Sequence, residues 1–218
     1  ETLEVLDENG IKFTILAPHQ AKKIKLIDGS EWIDLKSHEV DTSRAYLCNL
    51  PSGKKINLFF YDGGLSHAIG FGSLLNDGKA LAERLIQAGS GGNDGPKLVH
   101  IAVDGETFGH HHKFGDMAIA YCLSHIMDYD GADITVYGEY LEKYPAKFEV
   151  EINENTSWSC AHGIERWRSD CGCNSGSQPG WNQAWRTPLR ESLDWLRDEI
   201  NHHFEKKAGS IIADPWKA

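Results

Sequence analysis

Leu98-Val99-His100-Ile101-Ala102-Val103 is a largely apolar run that leads directly into Asp104-Gly105-Glu106. A continuous run of this kind is typical of a central parallel strand that is buried on both faces. Strand-like and helix-like runs alternate along the rest of the chain, which is the pattern of an α/β fold. We therefore expect Asp104 at the carboxyl end of a buried strand, where α/β enzymes place catalytic groups.

Shorter strand-like segments surround this run. Ile11–Ala17 is an apolar run that Pro18 ends, and Ile134–Tyr137 is another. Two pairs of runs flank turn-forming residues, and each pair predicts a β-hairpin. The pairs are Ile24–Ile27 with Trp32–Leu35 around Asp28-Gly29, and Tyr46–Leu50 with Ile56–Tyr61 around Pro51-Ser52-Gly53. We therefore expect a β-hairpin insertion at about 24–61 in an otherwise α/β chain.

Apolar residues at helical spacing predict amphipathic helices over about 74–88, 113–128 and 188–206. Thr187-Pro188 supplies an N-cap and a first-turn proline for the last of them. The chain from Asn153 to Arg186 shows little periodicity, although it holds three of the five cysteines and four of the seven tryptophans. A loop of this length is usually functional or disordered, and its tryptophans favour a functional loop.

Composition excludes several classes of protein. The chain has 218 residues, of which 40% are hydrophobic and 25% charged, a globular balance. A net charge of −10 disfavours binding to nucleic acid or to an anionic membrane, because an acidic surface repels phosphate. The longest apolar runs are far shorter than the roughly 20 residues that span a bilayer. Since no signal segment precedes Leu3, we expect a cytoplasmic protein, and the abrupt start at Glu1 indicates a piece of a longer chain.

Asp104 is the first candidate for chemistry. At the end of a buried strand its carboxyl group suits general acid/base work, with Glu106 or His110 to orient it. If the extended geometry continues, Asp104 and Glu106 project from the same face. A plain Asp-Gly turn is the alternative that the spacing leaves open. The histidines from His110 to His112 are also metal-ligand candidates, of which an extended segment would turn at most two toward one ion.

Three thiols and an imidazole occur close together in the irregular stretch. They belong to Cys160, His162, Cys171 and Cys173. This is the ligand chemistry of structural zinc, although the spacing Cys-x10-Cys-x-Cys differs from the usual pair of CxxC knuckles. We predict Cys160, Cys171 and Cys173 as the metal ligands. Reduced structural cysteines are the alternative, and a Cys160–His162 nucleophile pair lacks an orienting third group.

Aromatic residues in the same stretch suggest a sugar-binding surface. Trp158 and Trp181 have carboxylates and amides nearby in the sequence. Indole rings pack on the C–H face of a sugar, while polar side chains bind its hydroxyls. A core beneath a long loop explains the tryptophans equally well. His19 follows the Ile11–Ala17 run, in the same topological position as Asp104, and is a further candidate.

Three separated motifs resemble glycoside hydrolase family 57. More narrowly, they resemble large bacterial proteins that join such a catalytic domain to a C-terminal domain of unknown function. The motifs are Glu1–Leu6 with Gly10–Ala21, the block Asp104–His111, and the block Ser159–Asn174. They occur in the order of the family, and the resemblance covers nearly the whole chain.

The resemblance implies a retaining enzyme that acts on α-glucans, as an amylase, glucanotransferase, branching enzyme or galactosidase. It implies that residues 1–218 form the C-terminal part of a catalytic domain built as an incomplete (β/α)7 barrel. Asp104 then corresponds to the general acid/base of the family. The residues expected to line the sugar site are His19, Glu106, His110, Trp158, His162 and Trp181.

The nucleophile of the family is a glutamate in a Trp-containing motif on an earlier strand. Trp195 and Glu199 fit such a pattern superficially, but both lie in the predicted helix over 188–206. We therefore expect the nucleophile before Glu1, in the remainder of the same polypeptide, and we expect the isolated chain to be inactive. The expected partner is an oligo- or polysaccharide substrate. The glycosidase chemistry requires no cofactor, and a structural zinc ion is a candidate.

Two other functions stay open. The first is a carbohydrate-binding protein with a degenerate catalytic fold. The second is a metal-dependent hydrolase of carbohydrate esters or amides, which would use His110, His112 and Asp104. A glutamate facing Asp104 in the full-length protein would distinguish the glycosidase from the first, and a stoichiometric metal at the histidines would favour the second.

Overall fold

The computed structural model describes residues 1–36, 39–91, 95–173 and 178–217, which belong to two units, Glu1–Glu154 and Asn155–Ala218. In these ranges the first unit combines six β-strands with five α-helices, and the second holds two α-helices. The predicted α/β class is therefore confirmed.

One mixed sheet organises the first unit. Its strands are β1 Phe13–Leu16, β2 Ala21–Leu26, β3 Ile33–Asp34, β4 Tyr46–Asn49, β5 Lys55–Phe60 and β6 Phe148–Ile152. In space they follow the order β1-β5-β4-β6-β2-β3. The pairs β1–β5 and β4–β6 are parallel, and the other three neighbouring pairs are antiparallel. This linear order ends at β1 and β3, so the (β/α)7 barrel stays a prediction.

Both predicted hairpins are present. The first pairs β2 with β3, and Ile24 lies opposite Ile33. The second pairs β4 with β5, and Tyr46 lies opposite Leu58. The predicted strand at Ile11–Ala17 is also present, as β1. All five of these strands share one sheet with β6, and the description of 24–61 as an insertion stays a prediction.

The core of the first unit centres on β5. Ile56, Leu58 and Phe60 are fully buried and pack in one cluster with Tyr46 and other apolar residues. Phe59 points to the opposite face, as the alternation of a strand requires, and packs in a second cluster. A strand buried on both faces is expected in the middle of a layered α/β structure.

Five helices complete the first unit. Their bounds are α1 Thr2–Glu8, α2 Gly63–Gly70, α3 Gly78–Gly89, α4 Gly115–Met127 and α5 Tyr137–Lys143. Helices α3 and α4 confirm the helices predicted from periodicity, and they pack around buried Leu81 and Cys122. Asp62 begins α2 by accepting a bond from the backbone N–H of Leu65 at 2.9 Å. Asp77 caps α3 in the same way.

The prediction of a central strand at Leu98–Val103 is wrong. This segment belongs to none of the strands in the described chain. The carbonyl of His100 accepts a single bond from the N–H of Asp62 at 3.0 Å. The N–H of Ala102 donates to the Ser66 hydroxyl at 3.0 Å instead of to a neighbouring strand. The N–H of Leu98 donates to the Ser43 carbonyl at 2.9 Å. These separate bonds do not form a continuous ladder, so the segment is not a strand.

Two further differences concern the end of the first unit. Ile134–Tyr137 is not a strand, because Tyr137 already begins α5. Strand β6 was not predicted, and it places Glu149 3.0 Å from Lys25 and Glu151 3.1 Å from Lys23. These ion pairs lie in register across the β2–β6 ladder, which is the usual site of cross-strand charge pairs.

The second unit contains α6 Glu165–Arg168 and α7 Arg186–Ala208, and α7 confirms the helix predicted over 188–206. The apolar stripe of α7 is at least 39% exposed at each position. Its members are Leu189, Leu193, Leu196, Ile200 and Phe204. No helix in the described ranges combines the length and apolar character needed to cross a membrane.

Candidate active site and cysteine cluster

Asp104 lies at the start of a single 3-10 turn, Gly105–Thr107. Its carbonyl accepts a bond from the N–H of buried Thr107 at 2.9 Å, which fixes the backbone. Its carboxylate makes no capping bond and is exposed. The Asp-Gly turn therefore exists, but it uses the backbone of Asp104 and leaves the carboxylate available. The expected buried position at the end of a strand is not observed.

The chain after Asp104 brings three ligand-type side chains together. Glu106, His110 and His111 are exposed, and their nearest ligand atoms all lie within 4.8 Å of one another. The Nε2 atom of His111 is 3.5 Å from Oε2 of Glu106. The N–H groups of His110 and His111 both donate to the Glu106 carbonyl, which shows that the segment turns. Neighbouring histidines therefore share one side, so the expected extended geometry is wrong, although no more than two of the three histidines join this group, as predicted.

His112 is separated from this group. Its Nε2 atom lies 2.9 Å from the carbonyl oxygen of Gly70, at the end of α2. Since a carbonyl only accepts, Nε2 carries the proton and donates. The predicted combination of His110, His112 and Asp104 is not among the groups of potential metal ligands that the described residues bring together, and His112 anchors the loop to α2.

Asp104 lines neither of two cavities in the first unit. One has a volume of about 230 Å³ and is lined by Arg44, Pro96, Tyr140 and other residues. The second has a volume of about 550 Å³ and lies beside Phe114 and Met117 at the start of α4. Within the described residues, Asp104 therefore faces solvent rather than either of these cavities.

Four residues before Asp104, a buried histidine holds the segment in place. Nε2 of His100 is 2.9 Å from the Thr42 carbonyl, and Nδ1 is 2.9 Å from the Tyr137 hydroxyl. Burial lowers the pKa of His100, against the raising effects of the Thr42 carbonyl and the Asp62 carboxylate. A neutral ring then donates from Nε2 to Thr42 and accepts from Tyr137 at Nδ1. The role of His100 as a positioning residue was not predicted, because its sequence context is only that of an apolar run.

His19 lies where the sequence predicted, directly after β1. It belongs to a 3-10 turn, Pro18–Gln20, and is half-buried. Its carbonyl accepts a bond from Nδ2 of Asn153 at 3.1 Å, which ties this turn to the chain after β6. Its role in sugar binding stays a prediction.

The tryptophans of the second unit are exposed. Trp158 is 66% exposed and Trp181 is 76% exposed, and Trp167 and Trp185 also exceed 50%. The interpretation of these residues as a core beneath a long loop is therefore wrong. Exposed indole rings are available for stacking on sugar rings.

The second unit also brings Cys160, His162, Cys171 and Cys173 into one cluster. The Sγ atom of Cys160 lies 4.0 Å from that of Cys171 and 3.6 Å from that of Cys173. Nδ1 of His162 lies 3.7 Å from the Cys160 sulfur and 3.3 Å from the Cys173 sulfur. All three predicted cysteines therefore meet, and His162, which was assigned to the sugar site, lies with them.

Hydrogen bonds differentiate the thiols of this cluster. A backbone hydrogen bond at Cys173, with smaller effects from Cys160 and Arg186, lowers the pKa of Cys171. The Cys160 side chain, followed by burial, raises the pKa of Cys173. Cys48 and Cys122 lie in the first unit, where burial raises the pKa of both thiols, that of Cys48 to about 11.

Comparisons with solved structures show the fold of this chain. The crystal structure of a 4-alpha-glucanotransferase from Thermococcus litoralis matches 94% of the chain with a TM-score of 0.54 and 19% identity. The match covers only 27% of that enzyme. No curated protein sequence matches the chain.

Family models divide the chain at nearly the same place as the two units. Residues 181–218 match a domain of unknown function, DUF3536. Residues 1–153 match the model named glycosyl hydrolase family 57, which is well over half of the chain. The chain belongs to glycosyl hydrolase family 57.

Proposed function

We propose that this chain is part of an enzyme that cleaves or transfers α-glycosidic bonds, with Asp104 as general acid/base. Family membership and the similarity to a 4-alpha-glucanotransferase support action on α-glucans. The proposal includes a bacterial, cytoplasmic protein whose full catalytic domain is an incomplete (β/α)7 barrel.

The observation that carries the proposal is the geometry at Asp104. The backbone is held by its bond to Thr107 and, further along, by the bond between His112 and Gly70. The carboxylate itself makes no capping bond and is exposed. A fixed backbone that presents an uncommitted carboxyl group suits a residue that must deliver a proton to a substrate oxygen.

Retaining transfer needs two carboxyl groups about 5–5.5 Å apart, one to protonate the leaving oxygen and one to form the glycosyl-enzyme. Asp104 fills the first role in this proposal. The second carboxylate is supplied by a part of the protein outside these 218 residues. In the complete site, that part of the protein would also limit the access of water to Asp104, which is exposed in this chain.

In each unit, further side chains would contact a sugar. Glu106 and His110 lie on the loop that follows Asp104 and offer an acceptor and a donor for hydroxyl groups. In the second unit, Trp158 and Trp181 present exposed rings that suit stacking on a glucan. His19 completes the set that we propose for substrate binding.

The test is an assay of the full-length protein with maltoheptaose, in which chromatography separates hydrolysis from redistribution of chain lengths. We expect Asp104→Asn to lower turnover by about 10²–10⁴-fold, the usual contribution of a general acid/base. The loss should be much smaller for a nitrophenyl maltoside, because its leaving group needs little protonation. With the nitrophenyl maltoside, added azide should partly restore the turnover of Asp104→Asn, because azide attacks the glycosyl-enzyme in place of an activated water molecule.

Asp116→Asn is the matched control, since it makes the same chemical change at an exposed aspartate in the first turn of α4. It should retain turnover within about twofold. Full activity of Asp104→Asn would overturn the assignment of Asp104. If the isolated chain turned over α-glucans and lost this activity in Asp104→Ala, the proposal that the nucleophile lies outside these 218 residues would be overturned.

A metal-dependent hydrolase is the second candidate, and the convergence of Glu106, His110 and His111 favours it. It predicts deacetylation of an acetylated oligosaccharide that chelators abolish and that His110→Ala removes. A third outcome, tight binding of maltoheptaose without turnover of either substrate, would instead favour the carbohydrate-binding protein with a degenerate catalytic fold.

A further inference from the structure

We propose that Cys160, His162, Cys171 and Cys173 bind one structural Zn²⁺ ion in the second unit. The ligand set is Cys₃His, one of the common structural zinc sets. His162, which the resemblance assigned to the sugar site, instead supplies the fourth ligand beside the three predicted cysteines. All four residues lie within Asn155–Ala218, so the site is complete in this unit.

The distances fit a tetrahedron around one ion. With Zn–S of about 2.3 Å and Zn–N of about 2.0–2.1 Å, a tetrahedral site has S···S edges of about 3.8 Å and S···N edges of about 3.6 Å. The two sulfur–sulfur distances from Cys160 are 3.6 and 4.0 Å. The two sulfur–nitrogen distances to His162 are 3.3 and 3.7 Å. The two remaining pairs, Cys171 with Cys173 and Cys171 with His162, also have ligand atoms within 4.8 Å of each other.

Disulfide pairing does not explain this arrangement. All three cysteines are free, and three sulfurs cannot pair among themselves. A disulfide would also need only two sulfurs about 2.05 Å apart and would have no use for an imidazole aimed at them. Nδ1 of His162 instead faces two sulfurs at once, as a shared ion requires.

Donors around the cluster suit thiolate sulfurs. The backbone N–H of His162 points to the Cys160 sulfur at 3.4 Å. Nη1 of Arg186, at the start of α7, points to the Cys171 sulfur at 3.6 Å. Such outer contacts orient metal ligands and disperse the charge of a zinc–thiolate centre.

The site is structural rather than catalytic, because four protein ligands leave no position for water or substrate. Apart from the four-residue helix α6, the chain from Asn155 to Cys173 has no helix or ladder strand. An ion that joins Cys160 and His162 to Cys171 and Cys173 would therefore stabilise this loop and, through Arg186, the start of α7.

Elemental analysis of the purified chain tests the proposal. We expect one zinc per molecule, and we expect Co²⁺ exchange to give the thiolate charge-transfer and d–d absorption of a tetrahedral site. Cys171→Ser and His162→Gln should lower bound zinc at least tenfold. Cys48→Ala and His202→Gln make similar changes outside the cluster and should retain one zinc.

Three outcomes would overturn the proposal. They are protein that neither contains nor binds zinc, zinc that survives in both Cys171→Ser and His162→Gln, and iron with sulfide instead of zinc. Because a ligand variant can also fail to fold, the cobalt spectrum of the unaltered chain provides an independent test. An octahedral spectrum without thiolate bands would contradict the ligand set.

Discussion

The hydroxyl of Tyr137 lies 2.9 Å from Nδ1 of His100, and this bond joins the first turn of α5 to the segment that precedes Asp104. The two rings also pack edge to face, with centroids 5.4 Å apart. Since the opposite nitrogen of His100 donates to the Thr42 carbonyl, one neutral imidazole connects three parts of the first unit. The position of the Asp104 loop thus depends on a buried polar network.

Removal of the Tyr137 hydroxyl should destabilise this network. In Tyr137→Phe the ring still packs, but Nδ1 of His100 loses its donor in a buried site. We expect the free energy of unfolding to fall by about 1 kcal/mol, with a range of about 1–3 kcal/mol for an unsatisfied buried group. Urea denaturation followed by circular dichroism measures this change. Tyr129→Phe, at an exposed position, is the control and should leave stability unchanged.

The same histidine should make stability depend on pH. Because burial lowers the pKa of His100 in the folded state, the unfolded chain binds the proton more readily. The contribution of His100 to stability is complete above the pKa of this residue in the unfolded chain, near 6.5, and is lost as the pH falls below that value. We expect His100→Gln to lose less stability than the unaltered chain between pH 7.5 and 5.5. Equal losses, measured beside exposed His202→Gln, would contradict this.

Local patterns predicted the hairpins and the long helices well. Asp28-Gly29 and Pro51-Ser52-Gly53 supply turns between apolar runs, and α7 shows clear helical spacing. The strand predicted at Leu98–Val103 is absent, because an apolar run does not specify whether a neighbouring backbone completes a ladder. Strand β6 was missed although Phe148, Val150 and Ile152 alternate with charged residues, since its partner β2 lies far away in the sequence.

Side chains at the centre of the sheet and at the end of a strand should tolerate change very differently. Leu58 is fully buried in the main cluster, whereas Leu26, at the end of β2, is 56% exposed. We expect Leu58→Ala to lower the free energy of unfolding by about 2–5 kcal/mol through lost burial and a cavity. Leu26→Ala should change it by less than about 0.5 kcal/mol. Urea denaturation compares the two, and similar losses would contradict the placement of β5 at the centre.

For the site, residue type was more informative than position. The three cysteines could be proposed as ligands from their chemistry, but only the folded loop shows that His162 joins them. Similarly, the turn after Asp104 decides that His111, and not His112, lies beside His110. The prediction from sequence spacing assumed an extended chain there, whereas the N–H groups of His110 and His111 donate to the Glu106 carbonyl and form a turn.

Thiol titration should divide the five cysteines into two groups. Cys48 and Cys122 are buried and their pKa values are raised, so they react only after unfolding. If zinc holds the other three, native zinc-loaded protein should show no rapidly reacting thiol with Ellman's reagent. A strong chelator should expose three thiols, and denaturant should expose all five. Five equally reactive thiols in native protein would contradict both the burial and the metal site.

Two glycines of the cysteine loop should respond very differently to substitution by alanine. Gly163 has φ +62, and a Cβ added there would lie 2.0 Å from the backbone oxygen of Asn155, which already accepts a bond from Ile164. Gly172 has φ +80, but a Cβ added there would meet no atom within 4 Å. Both substitutions place a side chain in the left-handed region. Only Gly163→Ala also pushes the backbone of residue 163 away from that of Asn155.

We therefore expect Gly172→Ala to cost about 1–2 kcal/mol from its backbone conformation alone. Gly163→Ala should cost about 1–3 kcal/mol more and should release zinc, because the turn that carries Cys160 and His162 must move. Tryptophan fluorescence during urea denaturation suits this comparison, since six of the seven tryptophans lie after Glu154. Equal losses for the two variants would show that Asn155 does not pack against Gly163, and that the cysteine loop differs from the one described.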